Sequence, residues 1–172
     1  MSRELGLPDN GIGASWLMAC MAFETAETFS PTVKNFAGSG ATGLIQFMPA
    51  TARALNTSTS LLQALTAEEQ LEYVNLYFAP YAGRLHTLSD VYMAILWPAA
   101  IGKGWGDLLW DKTARPTTYR QNSGLDANKD GSITVGEASS KVRETLIKGY
   151  HFSKIALLAE HGLLDCADKH KG

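Results

Sequence analysis

Two clusters in this chain combine residue types and spacings that can do chemistry. The first is Phe23-Glu24-Thr25-Ala26-Glu27, at the end of an apolar run. Glu24 follows Leu17 by seven residues and Met21 by three, so on a helix it continues their apolar face. A carboxyl in such a place is costly to ionise, and its pKa rises. A carboxyl pKa near neutrality suits a general acid that protonates a poor leaving group. The plainer reading is a carboxylate that ends a helix and reaches water. Glu27 is a rival acid nearer the following loop; burial selects Glu24.

The second cluster is the twelve-residue run Asp126-Ala-Asn-Lys-Asp-Gly-Ser-Ile-Thr-Val-Gly-Glu137. Asp126, Asn128 and Asp130 offer side-chain oxygens at alternate positions, as a chain wrapping a cation requires. Gly131 permits the sharp turn, Ser132 offers its carbonyl, and Thr134 acts directly or through water. Glu137 closes the shell with both oxygens. This is the ligand pattern of an EF-hand loop, and that number of hard oxygens suits Ca²⁺ better than Mg²⁺. A sensor would need a helix pair that opens onto an apolar groove. Only one such loop occurs, behind a short Pro-interrupted segment, so the expected role is a structural staple.

The elements that must position these clusters read mostly as helix. Ile12 to about Glu27 is one helix, apolar nearly all round and expected to be surrounded by the domain. Asn35–Gly43, with three glycines, reads as a loop. Pro49 opens a short helix to about Leu55. Thr66 and Glu69 form a capping box ahead of a helix bearing Leu71, Val74, Tyr77 and Phe78, ended by Pro80. Ser89 is expected to cap an apolar helix over Val91–Trp97, stopped by Pro98. Gly102–Arg120 has no clear assignment. A last helical region starts near Thr134 and passes Leu146, with a break expected at Gly149; a further helix follows over Phe152–His161, closed by Gly162. No long period-two alternation supports a large sheet. The expected fold is mainly α, one domain over residues 1–172 that contains the loop 126–137.

Composition bounds what such a domain does. The 172 residues are 45% hydrophobic and 19% charged, too apolar for disorder and sufficient for a core. A formal charge of −2 gives no general attraction to nucleic acid or anionic membranes, so no nucleic-acid partner is expected. The longest apolar run, Trp16–Phe23, is far below the ~20 residues of a membrane span. The first ten residues do not read as a secretion signal. Cys20 and Cys166 make no disulfide framework; Cys20 is expected in the core. Trp97, Trp105 and Trp110 are expected to be core or partly buried.

One stretch carries a family resemblance. Glu24-Thr25, followed by Gly40-Ala-Thr-Gly-Leu-Ile-Gln-Phe-Met-Pro-Ala-Thr-Ala52, resembles the lytic transglycosylase and goose-type lysozyme group of the lysozyme superfamily. There a Glu and a small hydroxyl residue end a buried helix, and a Gly-Ala-x-Gly-Leu-Met-Gln-x-Met-Pro-x-Thr-Ala segment faces it. Ile45 replaces the Met, and the spacing through Thr28-Phe29-Ser30-Pro31 is similar to phage-borne members. The likeness is good over Trp16–Ala52 and loose beyond. The family Ser falls at Ala37, with Ser39 as a possible replacement. The third family motif, Ala-Tyr-Asn-Ala-Gly-Pro, falls near Ala94–Pro98 without its Tyr and Asn; Tyr92 or Tyr119 is a candidate hydroxyl and Asn122 a candidate amide.

The resemblance implies a lysozyme-like fold and cleavage of peptidoglycan glycan strands between N-acetylmuramic acid and N-acetylglucosamine. It implies one catalytic carboxyl, Glu24, and a 1,6-anhydromuramic product. Gln46, Ser39, Tyr92, Tyr119 and Asn122 would contact sugar, and no cofactor would join the chemistry, Ca²⁺ serving structure alone. Hydrolysis of goose-type lysozyme kind is the nearest alternative. A catalytically dead calcium-binding virion protein is a second, favoured by the lost Tyr-Asn pair; an EF-hand regulator of a target helix is a third. The expected protein is a monomer without stable membrane insertion. It would be held in the host cytoplasm until a pore protein releases it to the wall, or else carried in a virion.

Overall fold

Buried apolar side chains from helices far apart in sequence meet around Cys20, Val74, Phe78, Val91, Met93, Ile133 and Val142, all fully buried. The computed structural model describes residues 1–34 and 38–160, with the side chains of 152 and 155–160 excepted. Among these, seven helices and one two-stranded antiparallel pairing form a mainly helical domain. Helix α1 is Ile12–Glu24, α2 Pro49–Ala54, α3 Thr59–Ala64, α4 Ala67–Phe78 and α5 Leu88–Leu96. Strand β1 is Leu108–Asp111, α6 Pro116–Asn122, β2 Ser132–Thr134 and α7 Val135–Glu160. Helix α7 packs along α1 and α5, so the first and last long helices form the frame.

Local chemistry explains most boundaries. The capping box ahead of α4 is present: Thr66 Oγ1 accepts from Glu69 N–H and the Glu69 carboxylate accepts from Thr66 N–H. Helix α5 is capped by Thr87 rather than Ser89, because Asp90 at its third position completes a reciprocal box with Thr87. The second Asp90 oxygen accepts Gly102 N–H at 2.7 Å and ties the following turn back to α5.

Several expectations need correction. Helix α1 stops at Glu24 instead of Glu27, because Ala26, Glu27 and Phe29 adopt positive φ of 49°, 66° and 50°. It is not enclosed all round: Ile12 and Met18 are 43% and 47% exposed. The break at Gly149 is absent, and Val135–Glu160 is one helix. One glycine costs only ~1 kcal/mol in a helix interior, which the tertiary contacts of α7 outweigh. The separate helix over Phe152–His161 is therefore the end of α7 as far as Glu160. His161, Gly162, Cys166 and Ala37 lie outside the described residues. Helices α3 and α6 and strand β1 lie where the sequence pattern gave no assignment.

Candidate active site and cation loop

The end of α1 is shaped by Thr25. Its hydroxyl, fully buried, donates to Met21 O at 2.7 Å and accepts from Phe29 N–H at 3.0 Å. Thr28 donates its hydroxyl to Thr25 O at 2.7 Å. The bond from Phe29 N–H gives a partner to a donor outside the helix, while the other two reinforce Met21 O and Thr25 O, which already accept the N–H groups of Thr25 and Thr28.

Glu24 is partly buried, and burial pushes its carboxyl from an ordinary 4.5 up to about 7. Among the described residues no hydrogen bond or ion pair reaches that carboxyl. Its neighbours are aromatic. The Phe23 and Tyr92 rings meet edge to face at 5.6 Å. Burial chiefly, with the charge of Glu24 adding, holds the hydroxyls of Tyr92 and Tyr77 and the thiol of Cys20 protonated well above their usual range. Tyr77 donates its hydroxyl to Ala94 O at 2.6 Å and meets the Phe47 ring edge to face at 6.2 Å. Helix α4, helix α5 and the loop before α2 thus converge on Tyr77.

That loop is held from within. Thr42 bridges both Lys34 and Phe47, and Gly43 N–H donates to Val33 O at 2.9 Å. Gln46 donates its amide to Gly43 O at 3.1 Å and Val33 O at 3.3 Å, so this nitrogen is committed to the loop. The largest contribution is one that sequence reasoning missed. Gln70, fully buried, accepts Leu44 N–H at 2.7 Å and donates to Leu62 O at 2.8 Å and Pro31 O at 3.3 Å. A Cβ on Gly43 would stand 2.3 Å from the Gln70 carbonyl oxygen, so only glycine fits there. The available signal was helical spacing: Gln70 precedes Val74 and Phe78 by four and eight residues, on the buried face.

The other suggested sugar contacts divide. Tyr92 stands beside Glu24. Ser39 is exposed and accepts Ala41 N–H at 3.3 Å, a local turn contact. Tyr119 and Asn122 belong to the second cluster: Tyr119 donates its hydroxyl to Asp126 at 2.6 Å, and Asn122 donates to Thr118 O at 3.0 Å. Among the tryptophans, Trp110 is buried and packs on partly buried Trp97 at 5.3 Å. Trp105 is 51% exposed, its ring covered by the Arg143 guanidinium at 4.5 Å. Glu27 is an exposed partner of Lys148, whose ammonium lies 2.7 Å from Glu27 Oε1. A cavity of about 350 Å³ opens between α1 and α7, lined by Met18, Ala22, Phe29, Leu146 and Tyr150 among others; Glu24 is not in its lining.

In the cation loop, Gly131 (φ 90°) makes the turn and its N–H donates to Asp126 Oδ2 at 3.0 Å. The Tyr119 hydroxyl, aided by the N–H groups of Gly131, Lys129 and Asp130, holds the Asp126 carboxyl below the usual carboxylate range against the cost of burial. Asp130 accepts from Asn128 Nδ2 at 3.0 Å and Ser132 N–H at 2.8 Å. Glu137 Oε2 accepts both the N–H and the hydroxyl of Thr134. Two carboxylate oxygens, Asp126 Oδ1 and Glu137 Oε1, are buried without a partner among the described residues. They belong to the first and twelfth positions, where a cation would take them, and with Asn128, Asp130, the Ser132 carbonyl and Thr134 the donor set fits Ca²⁺. The described carboxylates do not themselves gather as a cluster of three or more; Asp130 is turned to its own loop. Strand β2, inside the loop, pairs with β1 through Trp110–Ile133 and Asp111–Ser132.

No protein-family model matches this chain, and no curated protein matches it significantly. Among the described residues no helix is long and apolar enough to cross a membrane.

Proposed function

We propose that this protein is a peptidoglycan lytic transglycosylase with Glu24 as its single acid and base. The observation that carries the reading is the Glu24 carboxyl, raised to about 7 by burial and unpartnered among the described residues, at the helix end where the motif resemblance puts the catalytic acid. Near neutral pH such a group is protonated in part and basic enough to take a proton back.

Protonated Glu24 gives its proton to the glycosidic oxygen between N-acetylmuramic acid and N-acetylglucosamine as that bond breaks. The acetamido group of the substrate stabilises the positive charge developing at the anomeric carbon. Glu24, now a carboxylate, takes the proton of the muramic C6 hydroxyl as its oxygen closes on that carbon. A 1,6-anhydro end results and the enzyme regains its starting protonation. Tyr77 and Tyr92 keep the surroundings of Glu24 apolar, and the loop braced by Gln70 and Gln46 frames the approach. The cation loop stands apart from this chemistry. A Ca²⁺ ion there would neutralise the buried oxygens of Asp126 and Glu137 and fasten the start of α7.

Zymography on purified cell wall, with Glu24→Gln and Glu27→Gln beside wild type, tests the assignment. Wild type is expected to clear the gel, Glu27→Gln to clear it more slowly, and Glu24→Gln to fail. Equal clearing by Glu24→Gln removes Glu24 from the mechanism. Product masses decide the chemistry: anhydro ends are lighter by one water than hydrolytic ends, and hydrolytic ends alone would indicate a lysozyme-type hydrolase. An inert wild type would favour a structural, calcium-binding protein.

A further inference from the structure

The turn after Glu24 holds three non-glycine residues in the left-handed region within four positions: Ala26, Glu27 and Phe29. Side chains are strained in that region, and such conformations persist only where surrounding contacts over-determine them. The contacts here are identifiable. Glu27 N–H donates to Ala22 O at 2.7 Å, Phe29 N–H donates to Thr25 Oγ1, and Thr28 donates to Thr25 O. All of these lie within the segment itself. The charged contact to a distant element is the ion pair of Glu27 with Lys148, 121 residues away on α7, while the Phe29 ring lines the cavity shared with Leu146 and Tyr150.

Helix α7 is a suitable anchor. Its first turn carries Glu137, it packs along both α1 and α5, and it runs unbroken past Gly149. From it, Lys148 reaches across to the residue whose φ is the most positive of the three, 66°. The pair is about half exposed, so its contribution to global stability is small. Its leverage is local, because the turn it holds follows directly from the last helical residue, Glu24.

We propose that Lys148 and Glu27 are positioning residues: their ion pair clamps the strained turn behind Glu24 to α7 and so fixes the direction in which the Glu24 carboxyl is presented. The clamp acts through Glu24, and its catalytic consequence rests on the reaction proposed above. A loosened turn misplaces the acid relative to the glycosidic oxygen, and small misplacements of a reacting group cost rate far more than binding.

The test uses the full-length chain as wild type, Lys148→Met, Glu27→Gln and the charge swap Glu27→Lys/Lys148→Glu. Amide hydrogen exchange by NMR reads the clamp directly. In both single variants the Glu27 and Phe29 amides should exchange several-fold faster, while amides in the middle of α1 keep their protection and the melting temperature scarcely moves. Kinetics on soluble glycan fragments should show a kcat about tenfold lower at unchanged KM. The swap should recover most of the protection and the rate. Unchanged exchange at Glu27 and Phe29 in Lys148→Met overturns the clamp, as does a wild-type kcat in that variant. An inactive wild type whose turn still loosens in Lys148→Met would refute the proposed reaction and leave the clamp standing.

Discussion

Glu24 and Asp126 are both carboxylates withdrawn from water, yet the protein drives them in opposite directions. Around Glu24 the neighbours are Phe23, Tyr92, Tyr77 and Cys20, and no donor reaches the carboxyl among the described residues, so burial alone acts and the proton is retained to about 7. Around Asp126 a tyrosine hydroxyl at 2.6 Å and the backbone N–H of Gly131 at 3.0 Å support the charge, so the proton is released. Donor supply, more than burial, separates a carboxyl suited to moving protons from one suited to holding a cation.

The strongest attempt to break this comparison is Glu24→Gln. Cell-wall cleavage should fall about 10²–10⁴-fold, the usual contribution of a general acid, measured as release of soluble glycan. Second in size is removal of the Ca²⁺ proposed for the 126–137 loop. Chelation should lower the melting temperature by about 5–10 °C, read by circular dichroism, for a domain in which ~1 kcal/mol shifts the midpoint by 2–4 °C. Glu137→Gln should show the same lowered midpoint and no longer respond to added Ca²⁺.

The two carboxyls should also give opposite pH dependences. The Glu24 pKa is raised in the folded state, so its favourable contribution is complete below about 4.5 and lost as pH rises through about 7. Glu24→Gln should therefore flatten that decline and stabilise the protein at pH 8 by about 1–3 kcal/mol in denaturant titrations. Cleavage by wild type should weaken over the same rise as the acid loses its proton. Asp126 is lowered, so its contribution is present above its ordinary 3.8 and lost only as pH falls through its lower folded value. The smallest effect is expected from Tyr119→Phe. Losing one hydrogen bond to a charged ligand should weaken Ca²⁺ binding about tenfold by calorimetry, while the pH profile of cleavage stays put.

Legibility differed between the two regions for a physical reason. The 126–137 loop was legible as a motif because its candidate ligands lie within twelve residues: the wrapping of one short segment sets the spacing of Asp126, Asn128, Asp130 and Glu137. The Glu24 region is assembled from segments distant in sequence. Phe47, Tyr77 and Ala94 come together only when the loop, α4 and α5 pack, and no local pattern announces Tyr77 as more than part of an apolar face. Tyr119 was a candidate hydroxyl for sugar contact, but its partner is Asp126. Gln70 looked like one polar residue on a helix, and its three bonds lie on three other segments.

Local chemistry written in the sequence determined the helical character, the Thr66–Glu69 box, the Pro49 helix start, the turn at Gly131 and the placing of Glu24 on an apolar face. These depend on neighbours within a few residues, where spacing alone sets geometry. Tertiary structure decided where α1 stops, that α7 runs through Gly149, that β1 pairs with the strand of the cation loop, and which hydroxyl stands by which carboxyl. Those outcomes depend on contacts between segments tens of residues apart. Their free energies exceed the ~1 kcal/mol scale of local preference.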